Sequence, residues 1–268
     1  MMFTIVRMRR CLLGNVLALV ALLTGTTAAH AMRVSPMVLE MESRGGDAVA
    51  RIEVENVNQG RLAFETRVYR LEFDEAGEIT EVPADDQFVV FPPQGVLPAG
   101  GRQVVRLQWV GAPDIAASQA FYVSVNQLPV QLAPGSSEES RAQVQMVYHM
   151  RALAVVAPPG ATPDVEAMSV RKLTYQPPTR PGADAPPSMV EGVEVVLRNT
   201  GRRHEMMANF GWRFQGFNEA GERVTVTIPP DELNAEVGTG YVPALGDRTF
   251  LLSVGGFASD EIELGFVE

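Results

Sequence analysis

The chain has 268 residues, and 22 Lys and Arg against 32 Asp and Glu give it a formal net charge of −10. Scattered acidic charge argues against nucleic acid as a partner, because phosphates need a basic face. One cysteine and three histidines leave too few soft ligands for a Cys- or His-rich metal centre and none for a disulfide framework.

The chain opens "MMFTIVRMRRCLLGNVLALVALLTGTTAAHA". Arg7, Arg9 and Arg10 form a basic start, Leu12 to Leu23 are nearly all apolar, and Ala29-His30-Ala31 supplies small residues two apart. This is the layout of a secretory signal peptide over 1–31, cut before Met32. An N-terminal membrane anchor is the alternative, but the apolar run falls short of the ~20 residues a span needs. Cleavage removes Cys11, three basic residues and no acidic one, taking the charge from −10 to −13. The remaining chain is predicted to be exported without a disulfide and not inserted in a membrane. A chain of that size buries a sufficient core without staples.

After residue 32, helical periodicity is nearly absent. Short alternating runs follow in order: "AVARIEVENV", "LAFETRVYRLEF", "RQVVRLQWVG", "AFYVSVNQL" and "VEVVLRNTG". Turn residues separate them every ten or so positions, as in antiparallel sandwiches. "DEAG" (74–77) and "NEAGE" (218–222) are predicted hairpin turns. "APPGATP" (157–163) can neither pair in a sheet nor continue a helix, so a boundary is placed there. "QPPTRPGADAPPS" (176–188) is predicted to be a long exposed loop. The reading is an all-β protein of two immunoglobulin-like β-sandwich domains in series, 32–157 and 158–268.

Residues 141–156, "RAQVQMVYHMRALAVV", are longer than an ordinary strand and follow a polar loop. Val144, Met146, Tyr148, Met150, Ala152, Ala154 and Val156 form a nearly unbroken apolar row. Such a row either faces its own core or is offered to a partner.

Catalytic signals are weak. The chain lacks a Gly-x-Ser-x-Gly elbow and a phosphate-cradling glycine loop. Asp85-Asp86 and Asp231-Glu232 are adjacent pairs in a strand or turn that point apart, and are read as solvated charge. His149 and His204 are read as structural. No enzymatic activity and no cofactor are predicted.

"FVVFPPQGVLPAGGRQVVRLQWVG" (88–111), followed by "AFYVSVNQLP" (120–129), is more specific than strand periodicity. It resembles the core of PapD-like periplasmic pilus chaperones of the chaperone–usher pathway. Pro92-Pro93, Leu97, Gly100, Gln103, Val105 and Arg106 fill one family pattern; Phe121, Tyr122, Leu128 and Pro129 fill a second. "VSPMVLEM" (34–41) resembles the opening strand, and "LRNTGRRHEMMANFGW" and "GYVPALGDRTFLL" resemble later strands. "RLEFDEAGEI" and "NTG" are similar to the divergent archaic, spore-coat-like branch.

The resemblance implies a chaperone in the periplasm whose partners are fimbrial subunits and an outer-membrane usher. Family members lend a strand to a subunit that lacks one, a form of β-augmentation. Here Val144, Met146, Tyr148 and Met150 would be the donor row, with Ala152, Ala154 and Val156 rooting it in the first domain. Methionines suit irregular pockets. Family members also hold the subunit's terminal carboxylate with an Arg in the first strand and a Lys late in the donor strand. Met37 and Leu153 stand at those positions, so the pair is not carried over. Arg151, of opposite parity to the donor row, and Arg33 are the substitute candidates, each with an alternative as a solvated edge arginine. The rival function is a secreted two-domain structural or adhesive sandwich without a client.

Overall fold

The computed structural model describes residues 32–74, 78–129, 147–178 and 185–267. The predicted signal peptide lies outside them. Among the described residues, ten strands form the first sandwich. The first two, β1 (Met32–Ser35) and β2 (Val38–Glu42), are one run of chain interrupted at Pro36, after a cis Ser35–Pro36 bond. Proline offers no N–H to a ladder, and here the chain leaves one sheet for the other. Next come β3 (Val49–Asn56), β4 (Leu62–Phe73), β5 (Ile79–Pro83), β6 (Phe88–Phe91), β7 (Gln94–Leu97), β8 (Arg102–Trp109), β9 (Gln119–Leu128) and β10 (His149–Ala157). One sheet runs β1-β3-β8-β6; the other runs β2-β10-β9-β4-β5, with β7 also on β4.

Alternation in each strand sends one set of side chains inward. Val54, Phe64, Val105, Leu107, Phe121 and Val123 meet there with Phe88 and Trp109. Phe88 packs edge-on to Trp109 at 5.2 Å and to Phe121 at 5.0 Å, a favoured aromatic geometry. Asn56, fully buried, ties two turns to this core. Its amide donates to the carbonyls of Gly60, Leu97 and Pro98 and its carbonyl accepts from Asn58 N–H.

The second sandwich comprises β11 (Val165–Tyr175), β12 (Val190–Asn199), β13 (Glu205–Met206), β14 (Gly211–Phe217), β15 (Arg223–Ile228), β16 (Tyr241–Val242), β17 (Gly246–Leu252) and β18 (Glu263–Val267). Its sheets are β11-β12-β17 and β15-β14-β18, with β13 and β16 a short pair. Trp212, Phe214, Leu197, Leu233 and Leu252 fill its core. The fold is all-β, two immunoglobulin-like sandwiches in series.

The predicted turn at 218–222 joins the paired β14 and β15; β4 pairs with β5, but residues 75–77 of the other predicted turn lie outside the described residues. Asp74 and Asn218 each accept a backbone N–H four residues on, the local bond that makes these residues turn formers. One element departs from the sequence reading. Asp231 and Glu232 lie neither in a strand nor in a plain turn, but in the first turn of α1 (Pro230–Val237). Proline at the helix start, acids in its first turn and Gly238 at φ 66° after its end are the matching signals.

Candidate functional site

β10 carries the site. It pairs with β9 along its length, from His149↔Asn126 to Val156↔Gln119. With β2 it pairs only over Leu153–Ala157. At the start of that pairing, Leu153 N–H donates to the Met37 carbonyl at 2.8 Å. Residues 149–152 therefore have no strand on that side among the described residues, while their other side is held. Gln127 N–H, which donates to the Tyr148 carbonyl at 2.9 Å, extends the held side one step further.

Parity divides β10 into two faces. Ala152, Ala154 and Val156 are fully buried in the first domain's core, and Met150 packs against it half-buried. Tyr148 is half-buried, and Val144 and Met146 lie outside the described residues. The opposite face carries Arg151, Leu153 and Val155. Val155 joins Leu71, Ala120, Met206 and Tyr241 in an apolar cluster between the domains, lined by Val38, Phe73, Tyr122 and Leu153. The packing between the domains is thus apolar where the family resemblance leads one to look for cations.

Arg151 stands at its edge. One guanidinium nitrogen is 2.5 Å from a Glu81 carboxylate oxygen, and the guanidinium lies 5.6 Å from the centre of the Tyr122 ring. Arg33 belongs to the other sheet, where it bonds Glu55 beside Arg102. Those contacts hold the Glu55 carboxyl below the usual carboxylate range, the Arg33 hydrogen bond most of all. Arg33 and Arg151 point outward from opposite faces of the sandwich, so the fold does not bring them together. Met37 is 43% exposed and Leu153 half-buried, side by side where β2 meets β10.

Sequence reasoning missed a cation here. Arg248, on β17, reaches across from the second domain to lie 6.0 Å from the Phe73 ring and 5.6 Å from Phe250. Burial pushes its pKa down. Nothing in local spacing marks it; only the docking of one domain on the other puts it beside Phe73.

That docking is fastened by the 200–204 turn. His204, 2% exposed, shares a hydrogen bond with Glu40 of β2 through Nε2 at 2.8 Å, and Arg203 donates to the same carboxylate at 2.8 Å. The His204 ring stacks on Tyr241 at 5.4 Å, and Tyr241 stacks on Phe73 at 5.0 Å. The His204 N–H donates to Ser118 Oγ, the Ser118 N–H to the Arg202 carbonyl, and Arg202 Nε to the Ala116 carbonyl. His204 is structural, as read, but its work is between domains rather than within a turn.

Burial pushes the Glu40 carboxyl up, but His204 and Arg203 together outweigh it and hold it below the ordinary value of 4.5. A carboxyl lowered by folding stabilises above its unfolded pKa, and that contribution fades as pH falls through the folded one. Docking of the domains should therefore loosen as pH drops below about 4.5, seen as faster amide exchange over 200–204. In Glu40→Gln this acid-dependent step disappears, and exchange there is already raised at neutral pH.

The profile of pili and flagellar-assembly chaperones, PapD N-terminal domain, matches residues 32–161. The first domain is thus a PapD-type N-terminal domain, and the chain carries the PapD-like chaperone fold. A chain from a chaperone–tip adhesin complex of CFA/I fimbriae biogenesis superposes with a TM-score of 0.50 at 11% identity, over 88% of this chain and 98% of that one. The class 5 fimbriae chaperone CfaA gives 0.50 at 11%, over 89% and 99%. The CsuC–CsuE complex from archaic Csu pili of Acinetobacter baumannii gives 0.49 at 12%, over 88% and 98%. No curated protein matches the sequence.

Proposed function

We propose that this protein is a periplasmic chaperone for pilus subunits, acting by donor-strand complementation and handing its clients to an outer-membrane usher. The observation that carries the proposal is the half-paired β10, whose residues 149–152 offer backbone N–H and C=O groups on one side. An edge of that kind is a template for another strand. Similar folds in a chaperone–tip adhesin complex and a fimbriae chaperone support the same reading.

In the proposed complex a strand-deficient subunit adds its edge to 143–151 and takes Val144, Met146, Tyr148 and Met150 into its open groove. Arg151 receives the subunit's terminal carboxylate in place of Glu81. No ATP and no covalent chemistry are involved: release occurs when a better-fitting strand displaces β10. The chaperone then has no enzymatic activity and no cofactor. The signal peptide at 1–31 takes it to the periplasm, and the two domains divide at 157/158.

One observation favours a second reading, a structural or adhesive sandwich: Met150 already packs on its own core. Co-expression with an exported pilus subunit separates the two. The chaperone co-purifies with that subunit one-to-one from the periplasm, and the subunit is degraded when the chaperone is omitted. A subunit equally stable and unbound without it would leave the structural reading standing.

A further inference from the structure

The second domain leaves a doorway into its own core. β11 ends one of its sheets and β18 ends the other. Between Val165 of β11 and Phe266 of β18 opens a cavity of about 290 Å³, lined also by Met207 and Phe210. Val165, Phe210 and Phe266 pack on the core cluster yet are only half-buried. Phe266 meets Trp212 edge-on at 5.7 Å, which fixes its ring. Met206, one residue before Met207, turns the other way into the apolar cluster between the domains, so the cavity is separate from the cleft.

Asp164 and Glu205 line the same cavity. Asp164 is held from three sides. Its N–H donates to Oδ1 of the buried Asn199 at 3.0 Å, its carbonyl accepts the Thr200 N–H at 2.9 Å, and its Oδ2 accepts the Thr200 hydroxyl at 2.6 Å. Glu205 Oε1 accepts the Met206 N–H. The second oxygen of each carboxylate has no partner, and neither acid has an ion pair, among the described residues. Cations stand close by in sequence but are engaged elsewhere: Arg203 with Glu40, Arg202 with the Ala116 carbonyl, Arg198 with Asp247. Two uncompensated carboxylates beside half-open aromatic rings make a complement to a cation with an apolar stem.

We propose that this cavity receives an arginine side chain of a second protein, carried on an extended segment that runs along the start of β11. The arginine stem and guanidinium plane rest on Phe210 and Phe266, and the guanidinium donates to the free oxygens of Asp164 and Glu205. A planar fork suits this pair of acids and rings better than the point charge of a lysine. The strand edge argues for a protein segment rather than a free cation. On the outer side of β11 the Lys172 N–H, toward the far end, is taken by Asp260 Oδ1; beside Val165 no strand pairs on that side among the described residues. An extended segment can pair there and place its side chain in the cavity. The docking rests on neither the chaperone reading nor the donor edge, since β11 belongs to the second domain.

The probe is a fluorescein-labelled peptide that alternates Val and Thr around one central arginine, together with its citrulline and glutamate twins. Anisotropy titration of the processed chain should give the arginine peptide a Kd at least about tenfold below either twin, the size expected of a charge-assisted contact. Asp164→Asn with Glu205→Gln should raise that Kd by about tenfold or more and erase the preference for arginine over citrulline. The double variant should melt with the parent, because neither acid loses an ion pair. Phe210→Leu, which keeps an apolar wall and removes the ring, should weaken the arginine peptide by about two- to fivefold and leave the citrulline twin unchanged. N-acetyl-arginine amide alone should bind at least about tenfold more weakly than the peptide, since it lacks the strand. Tyr148→Asp, altered at the donor edge, should bind the peptide unchanged. Equal binding of arginine and citrulline peptides, indifference to the double variant, or loss of binding in Tyr148→Asp overturns the proposal. So does N-acetyl-arginine amide binding as tightly as the peptide, which would give the cavity to a small cation. A dimer in sedimentation that the double variant dissolves overturns it too, by giving the cavity to a second copy of the chain.

Discussion

The double variant Met146→Asp, Tyr148→Asp should lose its pilus subunit while melting at the temperature of the parent. Each large apolar side chain moved from water into a groove contributes about 1.5–3 kcal/mol. Two such losses amount to about 3–6 kcal/mol, or two to four decades in Kd, before the cost of burying carboxylates is added. The free chaperone is spared for a structural reason. The Tyr148 carbonyl accepts from Gln127 N–H of β9, and aspartate keeps that backbone bond. Met146 enters on its register in the sequence alone. Met150→Asp is the uninformative choice, because Met150 packs on the first domain's core and its loss would lower folding and capture together. A double variant that still co-purifies with its subunit one-to-one would remove the donor row from the proposed function.

Parity and turn chemistry made most of the fold legible before any coordinates. The alternation in "RQVVRLQWVG" matches buried Val105, Leu107 and Trp109 against exposed Val104 and Arg106, and Asp74 and Asn218 make the local bonds their residue types prefer. Within β10, opposite parity sets Arg151 and Leu153 on one face and Ala152 and Ala154 on the other. What stayed hidden has a common cause. Glu40, His204, Tyr241, Phe73 and Arg248 are far apart along the chain and show no periodic signal. They acquire a role only where one domain docks on the other, and a strand pattern says nothing about which outer face will be covered. Helix α1 failed for a different reason. Eight residues are too few for a 3.6-residue period to register, so its evidence lay in the terminal signals of "PPDELNAEVG" rather than in its apolar positions.

Arg151→Ala should weaken subunit capture by about ten- to a hundredfold, the range of about 1.5–3 kcal/mol for a hydrogen bond to a charged group. In the free protein its guanidinium is already satisfied by Glu81 at 2.5 Å, close to the Tyr122 ring. A subunit carboxylate must therefore displace Glu81, and the two acids compete for one fork. Two further outcomes follow from that competition. Glu81→Gln should tighten capture, because it leaves Arg151 available. Arg151→Lys should recover only part of the loss, since an ammonium is a point charge without the planar fork. Arg33→Ala should leave capture nearly unchanged, because Arg33 lies outward on the opposite sheet with Glu55. The decisive measurement is a double-mutant cycle with a subunit whose C-terminus is amidated. If Arg151 reads the carboxylate, Arg151→Ala costs nothing against the amidated subunit. If it costs as much as before, Arg151 acts by packing against Tyr122 rather than by reading the carboxylate.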